Sequence, residues 1–427
     1  MSTDIPGGKG PAVKLADADF ANDLREHDMR SAVRDYRDRI RSGELGALPA
    51  ILGLTGLIVL FTALKPETFL SEGNIANLFT QALPITILAM GLVFVLLLGE
   101  IDLSAGVASG VCAAVMAKLM VDSGQPWYVA VLSAVAVGIV LGTAIGWLVS
   151  VLRIPSFVVT LAFFLGIQGI TLWMIGEGGT VPVRDDVIVA LANKNMPVPL
   201  GWTLAALCAA GYAATQLLRW KRQRDRRLHS RPLQLVVAQS AVVAVVLLAG
   251  TYLLSIDRAP SPLITLAGIP WGVPLVGVLL IGCTFVLSRT AYGRHIYAVG
   301  GNAEAARRAG INVTRIRISV FMIGSAFAAV SGIVAASRLN SVATDAGGGN
   351  TLLYAVGAAV IGGTSLFGGR GKARDAVLGG LVIAIIENGL GLLGTKAYLS
   401  YLITGVVLLL AASIDALARR RRSSTGR

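Results

Sequence analysis

About twelve apolar stretches, each close to the length needed to cross a bilayer, leave this chain few ways to fold. They run near 48–65, 80–99, 103–121, 127–151, 155–175, 201–218, 233–256, 271–288, 318–338, 351–367, 376–395 and 398–417. Lipid offers no partner to backbone N–H and C=O groups, so such runs must satisfy them internally as helices. Hydrophobic residues at 55%, charged residues at 14% and a mean hydropathy of +0.72 place the whole chain outside the usual balance of soluble proteins. The expectation is an all-α integral membrane protein, a polytopic bundle of about 10–12 transmembrane helices. The Gly-rich stretch 351–367 is short enough for a half-helix held inside the bundle, with a full crossing as the alternative. Domain limits follow: a cytoplasmic tail over 1–47, a transmembrane region over 48–418 and a basic cytoplasmic tail over 419–427.

The net charge of +13 raises the question of nucleic acid, and its placement answers against it. With a cytoplasmic N-terminus and alternating spans, 30 of the 37 Lys and Arg residues fall inside: in 1–47, at Arg153, and in 219–232, 289–317, 368–375 and 418–427. That asymmetry follows the positive-inside rule and predicts both termini on the cytoplasmic side of the cytoplasmic (inner) membrane. The runs Arg219 to Arg227 and Arg419 to Arg422 read as anchors at an anionic leaflet, with no aromatic pattern or fold motif for nucleic acid. Within 1–47, Met29, Val33, Tyr36 and Ile40 share a helical face, the pattern of an interfacial helix; a solvated tail is the alternative. No cleavable signal is expected, because the first apolar run lacks a small-residue cleavage site.

Catalytic and metal motifs are absent from the sequence. Cys112, Cys208 and Cys283 stand singly in apolar runs, and His27, His229 and His295 are scattered, so neither pairs of metal ligands nor a disulfide framework emerges. The string Gly368 to Lys372 lacks the spacing and final hydroxyl of a P-loop, and no nucleophile elbow occurs. The chain is therefore not expected to be an enzyme or to carry a cofactor of its own.

One polar segment between apolar runs carries strong helix punctuation. Asn302 suits an N-cap, Ala303 to Ala309 are mostly helix formers, and Gly310 suits the position just past the end. A helix of about seven residues, some 10 Å long, is marginal in water, so this one is built to be held by a neighbour or a partner.

Acidic groups near or within the membrane are the other candidates. Glu100 and Asp102 interrupt two apolar runs in Gly99 to Gly106, near the cytoplasmic boundary, where Asp102 and Ser104 suit a cap for the next helix. Glu387 and Asn388 lie mid-span, and a carboxylate at that depth marks a cavity unless it is paired. All four are candidates for the translocation pathway. The 50 glycines, many inside spans, permit close helix approach.

Three segments in order, Gly99 to Gly106, Gly293 to Val313 and Val360 to Lys372, resemble the permeases of bacterial ABC monosaccharide importers. The likeness is to the ribose, galactose and xylose group, strongest for the xylose subgroup, and extends to branched-chain amino-acid permeases. It covers the chain from about residue 48 onward, and it implies the spans at 201–256 are a subgroup insertion. The resemblance implies a membrane subunit that pairs with a second copy as a homodimer, binds cassette ATPase subunits carrying ATP and Mg, and receives sugar from an extracytoplasmic binding protein. It places the ATPase-coupling loop at 289–317, with Asn302, Glu304, Ala305, Ala306, Arg307, Arg308 and Gly310 forming the contact and the charged residues among them pairing with the ATPase. Outer segments 176–200 and 257–270 become docking surfaces for the binding protein. The alternative is a secondary, ion-coupled sugar transporter using Glu100, Asp102 or Glu387 as its proton site.

Overall fold

The computed structural model describes residues 48–226, 232–259 and 265–396, together with 398, 399, 401–406, 409 and 413. The tail 1–47, most of the last apolar run and the basic C-terminus lie outside the described residues, and so do the readings made of them. In chain order the elements are α1 (Leu48–Leu64), α2 (Pro66–Phe69), α3 (Glu72–Leu97), α4 (Ala105–Val121), α5 (Trp127–Ser150), α6 (Ser156–Ile175) and β1 (Thr180–Pro182). There follow α7 (Asp186–Asn193), α8 (Val198–Asp225), α9 (Leu233–Ser255), α10 (Gly272–Arg289), α11 (Ala291–Gly301) and α12 (Ala303–Arg308). The last are α13 (Val313–Leu339), β2 (Ser341–Ala343), α14 (Thr351–Gly362) and α15 (Ala373–Leu392).

Among the described residues, eight helices are long and apolar enough to cross a membrane, and α1, α4 and α14 are shorter apolar helices. Helix α14, with 12 residues, spans about 18 Å against a hydrocarbon core of about 30 Å, as the half-helix reading requires. Several helices overrun the apolar stretches. α3 begins at Glu72, capped by Ser71, rather than at 80, and α13 begins at Val313, capped by Asn312, rather than at 318. α8 continues through the basic run to Asp225, where Arg224 stacks over the Trp220 ring at 5.3 Å. Hydropathy reports which turns sit in lipid; capping and propensity decide where helices end.

Contacts divide the chain into two units, Gly43–Gly201 with Thr251–Arg427, and Met1–Ser42 with Trp202–Gly250. In the second unit the described residues are helical, from α8 beyond Trp202 and from α9 up to Gly250, and most of their side chains are exposed. The first unit holds the core. Its centre is α3, nearly all of whose side chains from Ala82 onward are buried, flanked by α13, α15, α14 and α10. Glycine positions set the close approaches. Gly138, Gly142 and Gly146 form one face of α5, and a Cβ on any of them would collide with the α13 backbone at Ser325, Phe321 or Ile318. Gly379 on α15 meets the Ala358 carbonyl of α14 in the same way. Small residues of this kind replace the hydrophobic drive that lipid removes.

One end of this unit is closed by a two-stranded antiparallel sheet, with Thr180 opposite Ala343 and Pro182 opposite Ser341. Helix α7 is sewn to the end of α13 by Ala192 N–H donating to Ser337 Oγ at 3.0 Å. Asn195 bridges to Pro270 beside it. The opposite end of α13 carries the site.

Candidate coupling and translocation site

Helix α12 forms as its sequence predicts. Asn302 Oδ1 accepts the Ala305 N–H at 2.9 Å, Ala309 N–H donates to the Ala305 carbonyl at 3.0 Å, and Gly310 turns the chain at φ +84. Ile311 N–H donates back to the Ala306 carbonyl, closing the helix end. Ala306 is its buried contact with the core, while Glu304, Ala305, Arg307 and Arg308 are exposed. Glu304 is engaged within its own helix, by Arg307 at 2.8 Å and Arg308 at 3.2 Å, the i,i+3 and i,i+4 neighbours that helix geometry puts within reach. The triad presents an internally neutralised surface with one net positive charge rather than three separately free charges.

The element before it, α11, is where the three ordered sequence segments meet. The Leu97 carbonyl, at the end of α3, lies where a Cβ on Gly300 would stand, and it accepts the Gly369 N–H at 2.8 Å. Gly99, Gly368 and Gly369 all take positive φ there, at +73, +85 and +72, a region open to glycine at little cost. Tyr297 Oη donates to the Gly371 carbonyl at 2.7 Å, and Tyr292 shares a 2.7 Å hydrogen bond with Ser319 of α13. The string Gly368 to Lys372, which fails as a phosphate loop, is thus a packing surface for α11. Reading the sequence did not find this role for Gly300, Gly368 or Tyr297; three glycine-rich loops at remote positions were the available signal.

Glu100 and Asp102 lie beside this junction with different surroundings. Glu100 pairs with Arg317 of α13 at 3.2 Å, an interaction no local pattern announced. Asp102 is buried, and its Oδ1 accepts both the Ser104 N–H at 2.9 Å and the Ser104 hydroxyl at 2.6 Å. The cap expected at the head of α4 therefore comes from Asp102, while Ser104 spends its hydroxyl on Asp102 and makes no cap of its own. Burial pushes the Asp102 carboxyl above its ordinary range, and the Ser104 hydrogen bonds oppose that shift.

Glu387 and Asn388 sit near the other end of α15. Asn388 and Asn74 exchange two side-chain amide hydrogen bonds, each 2.8 Å. Glu387 lies near Gln81 and Arg338. Asn74 and Leu97 stand at opposite ends of α3, about 35 Å apart at 1.5 Å per residue. The structure therefore does not gather the four polar candidates into one site: Glu100 and Asp102 are at the α12 end and Glu387 and Asn388 at the other. Among the described residues no group of acids, histidines and cysteines is arranged to hold a metal ion.

The described helices define a polytopic membrane protein with a short capped helix locked to its core at one end, and comparison with known proteins supplies its transport class. The family described as "Branched-chain amino acid transport system / permease component" matches residues 74–412. The chain belongs to that family and is the non-catalytic, multi-pass membrane permease component of an ABC-type import system. It is 35% identical over 382 residues to the xylose transport system permease protein XylH of Escherichia coli (strain K12), covering 90% of this chain and 94% of the relative. Identity is 32% to the Haemophilus influenzae protein of the same name, over 88% of this chain and 98% of the relative. The ribose import permease protein RbsC of E. coli K12 is 30% identical over 86% of this chain and 92% of its own length. No solved structure matches the chain significantly.

Proposed function

We propose that this chain forms the translocation pathway for a monosaccharide, D-xylose first among them, as one of two copies in the cytoplasmic membrane. Its similarity to xylose and ribose permeases over nearly the whole chain supports the substrate class. ATP and Mg belong to the cassette ATPase subunits, and α12 is the element those subunits grip. The observation that carries this reading is the placement of α12. Its exposed face runs from Glu304 to Arg308, while Ala306 and the adjoining Gly300 contact bind it to the core. A rigid push on α12 then moves the ends of α3 and α13 and the loop before α15 together. The segments 176–200 and 257–270, whose described residues lie with β1, α7 and the Asn195–Pro270 bridge at the other end, receive the sugar-loaded binding protein. The contact unit formed around 202–250 supports reading that region as an insertion.

The test is uptake of radiolabelled monosaccharides in a strain lacking the permease, complemented by this chain with its ATPase and binding protein. Saturable xylose uptake that ribose and galactose do not suppress is expected. Uptake of ribose or galactose in preference to xylose overturns the substrate, and xylose uptake without the ATPase overturns the coupling.

A further inference from the structure

We propose that the cavity where α5, α6, α12 and α13 meet binds the phosphate group of a membrane phospholipid. The cavity measures about 370 Å³ and is lined by Arg153, Arg307 and Arg317, with Glu100 its single acidic lining residue. Three guanidinium groups against one carboxylate leave the lining with two net positive charges, which rejects a cation. The Glu100 carboxylate engages Arg317 through Nη2 at 3.2 Å, and Arg307 is turned toward Glu304. Two buried polar atoms on lining residues still have no hydrogen-bond partner: Arg317 Nε and Ser150 Oγ. Both can donate, and a buried donor without an acceptor costs about 1–3 kcal/mol, which an acceptor drawn in beside them would offset. A tetrahedral phosphate, with several acceptor oxygens, meets a set of arginines better than a single carbonyl does.

Arg153 strengthens the case. It holds φ +58, a conformation unfavourable for a residue with a Cβ, in the tight connection between α5 and α6. Strain of this kind persists where the surroundings over-determine it. The source of the phosphate follows from the neighbours of the lining residues. Val151, Leu152 and Phe157, adjoining Arg153 and Ser156, are roughly half exposed and apolar, at 48%, 52% and 55%. Cationic groups beside exposed apolar side chains match a phospholipid, headgroup on the arginines and acyl chains along Leu152 and Phe157, better than a soluble anion. This assignment does not depend on the sugar carried; it shares Arg307 with the face proposed for the ATPase and rests otherwise on Arg153 and Arg317.

The full chain, purified and delipidated, is titrated with dioleoyl-phosphatidylglycerol and the bound lipid is counted by native mass spectrometry. Wild type retains one lipid that survives activation, and Arg153→Gln weakens that binding about tenfold, the value of one charge-assisted hydrogen bond. Arg153→Gly, which relieves the backbone conformation and so protects the fold, weakens it equally. Arg184→Gln, an exposed arginine beside β1, leaves it unchanged. In a second arm, excess glycerol 1-phosphate fails to displace the lipid. Equal retention by wild type and both Arg153 variants overturns the site; displacement by glycerol 1-phosphate overturns the lipid as its source.

Discussion

The Leu97 carbonyl oxygen occupies the space a side chain on Gly300 would need, so the end of α3 and the end of α11 are in backbone contact. Gly300→Ala must push the two apart, at a cost typical of overpacking, about 1–3 kcal/mol. Expected is a chain that inserts but unfolds at lower temperature and transports poorly, measured by thermal unfolding in detergent and by uptake at matched membrane levels. Gly301→Ala is the control, since its neighbouring space is open.

Helix α12 gives a second test. A side chain at Gly310 meets no atom within 4 Å, so Gly310→Asp acts through its φ of +84, costing about 1 kcal/mol locally, and through an added charge at the docking face. Glu304→Lys combined with Ala305→Glu breaks both internal ion pairs and enlarges an exposed alanine. Both variants are expected to insert normally, lose co-purification of the ATPase and lose uptake. Normal co-purification and uptake in both would falsify the coupling role and leave α12 a connector.

Asn74 and Asn388 offer a double-mutant cycle. Asn388→Leu removes one partner of a reciprocal amide pair and is expected to destabilise the chain by about 1 kcal/mol. Asn74→Leu costs more, because Asn74 also donates to the Phe69 carbonyl at 2.9 Å. The double variant should be less destabilised than the sum of the singles. Strict additivity in thermal unfolding would mean the pair contributes nothing as a pair.

Asp102 gives a pH dependence. Its folded carboxyl titrates above the ordinary value of 3.8, so the charged form is the one disfavoured by folding. Below 3.8 both folded and unfolded chains hold the proton and no cost arises; as pH rises from there through the folded value the cost appears, and it is complete above. Asp102→Asn keeps an oxygen to accept both Ser104 bonds and removes the charge. Its stability relative to wild type should be more favourable at neutral pH than at about pH 4. A difference that is flat with pH, or that grows toward acid, contradicts the burial argument.

Orientation has its own measurement. A periplasm-active reporter fused after Arg422 should stay silent, and a cytoplasm-active one should report, if basic residues set the topology. The reverse pattern would place α12 on the wrong side for an ATPase.

The sequence by itself determined the membrane-spanning class, the shortness of the glycine-rich span and the small capped helix. Apolar length and capping are local properties: Asn302 and Gly310 act within a few residues of where they stand, and the 12-residue α14 follows from a short glycine-rich run. It also placed Asp102 and Ser104 at a helix head as cap candidates, and geometry chose Asp102, whose Oδ1 takes both the Ser104 N–H and the Ser104 hydroxyl. Only the tertiary structure decided that Glu100 pairs with Arg317, that Asn74 meets Asn388, and that Gly300 rests on Leu97 beside Gly369. Partners in each long-range pair belong to helices whose rotation and depth are set by packing, and in lipid packing depends on where glycines let backbones touch, which no local pattern reports.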